Sequence, residues 1–567
     1  MRLAQTCRTA QWIVSALLAW AATSVAGGEP PAAAPTTIAP AVRAADSENE
    51  ADSILERALE LERQHSWSKA MELYHDASER WPSRTVFDHR RRLCESHYRL
   101  TRRYQDQSFR NVLLRLPRAN ALELYSEILD RIETHYVDPV SLKPMICRGL
   151  DNMEVALRDA NFLRTNGISA APERVDWLRD SLRKRRERLA EGTFRDRAAA
   201  QTEVLAACEL ASKGLNLGPA PVILEFAFGA CDVLDDYTSY LTPDKLEDLY
   251  AMIDGNFVGL GIELKLDTQG LRLVGVIRGG PASDAGLKAG DQITHVDGHA
   301  LRGLGLDEGA SKLQGTEGTA IEITVLHADG TSQSYKLVRR HVEVESVAQA
   351  KLVDKAYGVG YIQLTGFQKS SAEELDKAIA GLKRQGMGTL VLDLRGNPGG
   401  LLNVAVEIAE RFLDQGVIVS TRGRAAGQSQ VYRVRTRSVW SMPLIVLIDR
   451  DSASASEILA GALKENNRAT VVGERSYGKG SVQSIFALRA APAGLKLTTA
   501  KFYSPLNRPY SEQGVEPDVT VKVAAKPVAG KGKDGRGAAE LTFGDPENDA
   551  VLDQALHQAR KAYKAAG

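Results

Sequence analysis

The run Thr389 to Leu394 is apolar at nearly every position, and Leu444 to Ile448 repeats that texture further on. Neither alternates as a half-exposed strand would, so each reads as a strand buried on both faces. Helical spacing over Leu401 to Leu413 follows the first run, and another helical run follows the second. A strand from Gly358 to Leu364 and a helix near Glu373 to Lys383 precede both. Strands alternating with helices indicate an α/β layer structure, assigned to residues 343–525.

The chain of 567 residues exceeds what one hydrophobic core covers, so roughly three to five domains are expected. From Gly255, short β-rich runs separated by glycines (Val258 to Leu264, Leu271 to Val276, Gln292 to Val296, Ile321 to Leu326) mark a small separate domain, 253–342. Ahead of it the pattern is helical. Ile54, Leu55, Ala58 and Leu59, then Trp67, Ala70, Leu73, Tyr74 and Ala77, have helical spacing in two segments joined near His65-Ser66. This region, 51–118, is like one tetratricopeptide helix pair, and a plain helical hairpin fits equally; it serves partner docking or packing. Leu122 to Tyr136 belongs to a second helical region, 119–252, whose charged stretch Arg179 to Arg188 reads as a solvated helix face. Residues 526–567 read as a Lys/Gly-rich tether over 526 to 538 and a terminal helix over Asp549 to Ala565.

Arg2 and Arg8 before the apolar run Ile13 to Ala22, with Ser24-Val25-Ala26 after it, read as a secretory signal over 1–26. The run is shorter than the roughly 20 apolar residues of a spanning helix, and an uncleaved membrane anchor is the alternative. The expected location is periplasmic or secreted. Residues 27–50, rich in Ala, Pro and Thr, read as a disordered linker. Cys94, Cys147, Cys208 and Cys231 follow the signal and either pair in one of three ways or stay buried as free thiols. Without a CxxC or a Cys/His cluster, no metal site is expected, and no cofactor. The 72 basic side chains balance 72 acidic ones, which gives no bias toward nucleic acid.

Three segments together are similar to the carboxyl-terminal-processing, or tail-specific, serine peptidases. The first is Gly255-Asn256-Phe257-Val258-Gly259-Leu260-Gly261-Ile262-Glu263 with Gly280-Pro281-Ala282 and Ala285-Gly286-Leu287-Lys288-Ala289-Gly290-Asp291, which resembles a PDZ domain. The second is Asp393-Leu394-Arg395-Gly396-Asn397-Pro398-Gly399-Gly400. The third is Ser452-Ala453-Ser454-Ala455-Ser456-Glu457-Ile458 with Gly478-Lys479-Gly480-Ser481-Val482-Gln483. Leu122 to Tyr136 and Asp236 to Pro243 resemble the family's helical start, here separated by extra helical sequence. The region before about residue 120 has no counterpart in the family pattern, and the resemblance gives it no function. The resemblance implies a multidomain α+β chain: a helical N-terminal region, a small β-rich PDZ-like domain and an α/β catalytic core with a Ser-Lys active site.

Ser454 lies between the strand Leu444 to Ile448 and the helical run Ile458 to Leu463, at a helix N-terminus where the dipole favours developing negative charge. By itself, Ser454-x-x-Glu457 reads as a capping box. The family pattern, however, places a serine and a lysine 25 positions apart, and Ser454 and Lys479 keep that interval. The resemblance thus implies Ser454 as nucleophile, rather than Ser452 or Ser456, and Lys479 as general base. A lysine serves as base only when neutral, so burial must bring its pKa to roughly 7 to 8. If 479 to 483 are extended, Lys479, Ser481 and Gln483 face one way, and Gln483 can orient the amine as the matching family glutamine does. The oxyanion donors implied are the N–H of Ala455 and one from the Gly399-Gly400 turn, Gly400 ahead of Gly399, while Arg395 and Asn397 read as bracing the loop. No histidine occurs between His341 and His557, so the α/β segment lacks the imidazole of a Ser-His-Asp triad. His295 and His299 read as solvated or structural.

Val258-Gly259-Leu260-Gly261-Ile262 matches the PDZ loop whose N–H groups receive a terminal carboxylate, with the peptide then adding as a strand. Gly259, Leu260, Gly261 and Ile262 are the expected substrate contacts. Leu260, Ile262, Leu264 and Leu313 predict apolar tails, so the expected partners are protein or peptide substrates with apolar C-termini. The competing class is a non-catalytic scaffold, against which the joint presence of Ser454, Lys479 and Gln483 argues.

Overall fold

The computed structural model describes residues 40–192, 196–521 and 543–566. The signal segment, residues 27–39 of the linker and the tether over 526–538 lie outside the described residues.

Helices α1 (Pro40–Arg63) and α2 (Trp67–Arg80) form a hairpin that turns at His65, φ 54°, and α3 (Thr85–Gln105) packs back on α2. α1 starts inside the stretch read as linker. The stripe Trp67, Ala70, Tyr74 and Ala77 meets Phe87 and Cys94 in a small core of its own, as helical spacing requires. A second helical core follows, built by α4 (Arg118–His135), α5 (Leu142–Ala156), α6 (Pro172–Glu191), α7 (Arg197–Leu215) and α8 (Pro219–Asp232). α5 and α8 touch backbone to backbone: a Cβ on Gly229 would stand 2.6 Å from the Gly149 nitrogen. Cys94, Cys147, Cys208 and Cys231 are free thiols.

Strand β1 (Ser239–Leu241) and α9 (Pro243–Asp254) lead into the β-rich domain. It contains β2 (Asn256–Gly259), β3 (Ile262–Asp267), β4 (Gly270–Val276), β5 (Gln292–Val296), α10 (Leu306–Leu313), β6 (Ala320–Leu326), β7 (Ser332–Val338) and β8 (Arg340–Glu343). The sheet runs β3-β4-β5-β6-β7, with β3 at an edge beside α10, while β2 pairs with β8.

The α/β layer contains β9 (Val347–Asp354), β10 (Val359–Leu364), α11 (Ser371–Arg384), β11 (Thr389–Asp393), α12 (Leu402–Glu410), β12 (Val417–Gly423) and β13 (Gln430–Arg433). It continues through β14 (Leu444–Ile448), α13 (Ala455–Glu465), β15 (Thr470–Gly473), β16 (Ser481–Ala487), β17 (Gly494–Tyr503), β18 (Val519–Thr520) and α14 (Ala550–Ala566). The main sheet runs β9-β10-β11-β14-β15-β18 and is parallel except at β9. α11, α12 and α13 cover one face, packing on Leu392 and Val446, and α14 covers the other, packing on Val391 and Leu447. That two-sided cover is why β11 and β14 carry apolar residues almost continuously.

A second sheet runs β1-β17-β12-β13, with β16 also on β17. Leu495 and Leu497 of β17 enter the core of the second helical region, so helices and peptidase layer share a core. Among the described residues, no helix is long and apolar enough to cross a membrane.

Candidate active site

Between the end of β14 and the start of α13 the chain turns at Ser454, whose φ of 56° and ψ of −112° are disfavoured for a residue with a side chain. Such a conformation costs about 1–3 kcal/mol and persists where surrounding contacts impose it. Ser452 and Ser456 are fully buried and give their hydroxyls to Leu394 O at 2.8 Å and Asn397 O at 2.9 Å. Of the three serines, Ser454 alone is partly exposed.

The turn is held from below by Glu457, which is wholly buried. Its Oε2 accepts the N–H of Ser454 at 2.7 Å and of Lys479 at 2.9 Å; its Oε1 accepts Gly478 N–H at 2.7 Å and the Ser476 hydroxyl at 2.6 Å. Burial pushes the Glu457 carboxyl up to about 7, against the pull of those four donors. One side chain thus ties the Ser454 turn to the Lys479 loop.

Lys479 Nζ stands 4.8 Å from the centre of the Tyr237 ring. Burial lowers its pKa below the ordinary lysine value, with the carboxylates of Glu457 and Asp235 opposing. Tyr237 and Asp235 belong to the turn after α8, where Asp235 Oδ1 accepts the N–H groups of Tyr237 and Thr238 at 2.9 and 2.8 Å. Among the described residues, Lys479 Nζ donates no hydrogen bond to Ser454. Gln483 gives its amide N–H groups to Ser481 Oγ at 2.9 Å and Thr498 Oγ1 at 3.2 Å rather than to Lys479. Ser481 and Gln483 share a face as the period of two requires. A bulge at Thr499 sets Gln483 opposite Thr498.

The loop 396–400 docks on the serine turn. Asn397 O accepts Ala453 N–H at 3.0 Å, and Asn397 Oδ1 takes Gly399 N–H at 2.8 Å. Gly399 has φ +103°, and a Cβ there would stand 2.8 Å from Ser454 Cβ. Among the described residues, neither Gly400 N–H nor Ala455 N–H has an acceptor. Arg395 braces the loop through Asp393 and, at 2.8 and 2.6 Å, Asp549 at the start of α14. His295 and His299 bond within the β-rich domain, His295 to Thr294 and His299 to Asp297 O.

In the β-rich domain, Leu260 O and Gly261 O accept the N–H groups of Ala282 and Ile277, each at 2.9 Å, which fixes the Gly259–Ile262 loop at the open edge of β3. Among the described residues, the N–H groups of Leu260 and Gly261 have no acceptor. Leu260, Leu264 and Leu313 are buried, and Ile262 is half-buried.

Residues 358–521 match the sequence pattern of peptidase family S41, and 272–326 match that of the PDZ domain. A carboxyl-terminal-processing protease of Picosynechococcus is 37% identical over 293 residues, which cover 51% of this chain and 70% of that one. A carboxy-terminal-processing protease of Bartonella bacilliformis is 35% identical over 353 residues, 58% of this chain and 80% of that one. The chain belongs to the carboxyl-terminal-processing proteases. It is a serine peptidase of family S41 that carries a PDZ domain. The solved photosystem II D1 C-terminal processing protease is similar at TM-score 0.38 and 26% identity, covering 72% of this chain and 94% of that one.

The sequence of this carboxyl-terminal-processing protease did not announce four of its site neighbours. Glu457 was legible as the fourth position of a capping box, but its hold on Lys479 crosses 22 positions. Asp235 and Tyr237 stand in or beside the segment resembling the helical start of the family, which gave no reason to place them at the lysine. Lys496 of β17, whose pKa burial and the Lys479 charge lower, carries no local signal beyond its strand.

Proposed function

We propose that the protease captures the carboxyl terminus of a protein or peptide in its PDZ domain and cuts the chain with a Ser454–Lys479 dyad. The N–H groups of Leu260 and Gly261, in the loop Gly259–Ile262, receive the terminal carboxylate, and the tail adds to β3, where Leu260, Ile262, Leu264 and Leu313 favour apolar side chains. Neutral Lys479 takes the proton of Ser454 as Oγ attacks the carbonyl and returns it to the leaving amine. The N–H groups of Ala455 and Gly400 receive the oxyanion. Gln483, anchored through its amide nitrogen, orients the lysine through its amide oxygen. Residues 253–342 act as the binding domain and 343–525 as the catalytic one, with 51–118 open to a protein partner. A secretory signal over 1–26 sends the chain to the periplasm or outside.

The observation that carries this reading is the shared Glu457 carboxylate, which holds the backbones of Ser454 and Lys479 together at one point. The test is cleavage of a peptide with an apolar tail by Ser454→Ala, Lys479→Ala and the double variant. Each should abolish turnover with the fold intact, and the double should be no worse, because the two act as a unit. Near-normal turnover by a folded Ser454→Ala protein would overturn the assignment.

A further inference from the structure

A second lysine lies beside the proposed base. Lys496 pairs with Ile485 in β16 and with Ser239 in β1. Directly opposed residues in antiparallel strands share a face, and faces repeat every second residue. Lys496 therefore faces the same way as Thr498 and Gln483, whose side chains are bonded to each other at 3.2 Å. Its partner Ser239 stands two residues after Tyr237, whose ring carries Lys479 Nζ. Asp235, which holds the Tyr237 and Thr238 N–H groups, closes the cluster from the helical side, and the Thr238 hydroxyl oxygen accepts Thr498 N–H at 3.3 Å. Neither Lys496 nor Asp235 has a part in the dyad chemistry above.

The geometry points to Lys496 and Asp235 as positioning residues that set the charge on Lys479 from the β17 strand and the turn after α8. This rests on the Ser454–Lys479 reading. The groups facing Lys479 are Glu457 from α13, Asp235 and Tyr237 from the turn after α8, and Lys496 from β17; Tyr477 interacts with Tyr237. Two cations side by side in a half-buried site repel, so the first proton leaves the pair more readily than it would leave an isolated amine. The repulsion is expressed on Lys496: burial and the Lys479 charge bring it down to about 7, while Asp235 pulls it up. Asp235 acts on Lys479 in the same upward sense.

The test is the pH profile of kcat/KM for the full chain. Lys496→Met removes the repulsion and should move the activity rise to higher pH by at least about 0.5 unit. Lys496→Arg keeps a permanent charge and should move it lower, and Asp235→Asn, which removes the opposing carboxylate, should also move it lower. A merely structural lysine would lower activity in both Lys496 variants without opposite displacements. Should Lys496→Met be inactive, the Lys479 pKa can be read in the Ser454→Ala background from the pH dependence of its acetylation by acetic anhydride, followed by mass spectrometry. An upward move on adding Lys496→Met supports the inference, and an unchanged value overturns it. Inactive Lys479→Arg beside unmoved profiles for Lys496→Met and Asp235→Asn sinks this inference and leaves the dyad standing. Active Lys479→Arg sinks the dyad itself.

Discussion

Ser454 and Lys479 give their backbone N–H groups to one oxygen, Oε2 of Glu457, at 2.7 and 2.9 Å. The carboxylate that holds both is buried beneath the site and bonds to their backbones rather than to their side chains. The serine turn is strained and the lysine is desolvated, while the Glu457 charge opposes the effect of that burial on the lysine.

The first prediction concerns pH. In the proposed dyad the neutral form of Lys479 accepts the proton, and its pKa lies below the ordinary lysine value, so cleavage should rise with pH through an inflection below 10.4. Lys479→Arg should be inactive from pH 6 to 9, because guanidinium holds its proton throughout that range. Replacing His295 and His299 should leave the inflection where it is.

Glu457→Gln removes one acceptor oxygen from a nest of four donors. An unsatisfied buried donor costs about 1–3 kcal/mol, so a Tm lower by several degrees is expected, together with a fall in kcat. The sign of the pH effect follows from the raised carboxyl. The folded state holds the Glu457 proton up to about 7, whereas the unfolded chain releases it near 4.5. Stability contributed by this group is therefore present at low pH and lost as pH rises from 4.5 to 7. The Tm gap between wild type and Glu457→Gln should be wider at pH 5 than at pH 8, and calorimetry at both values checks it.

Gly399→Ala should cripple catalysis more than folding. The added Cβ would stand 2.7 Å from Ala453 O and 2.8 Å from Ser454 Cβ, at φ +103°. The serine turn or the glycine loop must move, which misplaces the proposed oxyanion donors Ala455 and Gly400; loss of such a donor costs about a hundredfold or more in kcat. KM should change much less. Steady-state kinetics on one peptide separates the two.

Asp549→Ala leaves Arg395 with Asp393 as its remaining charge partner and strips α14 of its first-turn anchor, since Asp549 also accepts Leu552 N–H at 3.0 Å. Breaking a buried ion pair costs about 3–5 kcal/mol, to be read from urea unfolding. Burial raises the Asp549 carboxyl, yet the Arg395 bonds outweigh it and hold the pKa below the ordinary value. Its contribution is thus present near neutral pH and is lost as pH falls through that lowered value, so the penalty of the variant should shrink on acidification.

Periodicity and composition by themselves determined three central strands of the α/β layer (β10, β11 and β14), the two-segment hairpin turning at His65 and the terminal helix over Asp549 to Ala565, because a stripe or run of apolar side chains admits few solutions once it must be buried. Motif spacing named the family and put Ser454, Lys479, Gln483, Gly400 and the Gly259–Ile262 loop forward as its working residues. Local sequence carries no record of pairing between distant strands. Lys496 became a neighbour of Lys479 because β17 lies between β1 and β16, Asp235 and Tyr237 reached the base because the helical region shares its core with Leu495 and Leu497, and Arg395 found Asp549 across 154 positions. Those juxtapositions are decided by which buried surfaces close on one another, a property of the folded whole that no single segment encodes.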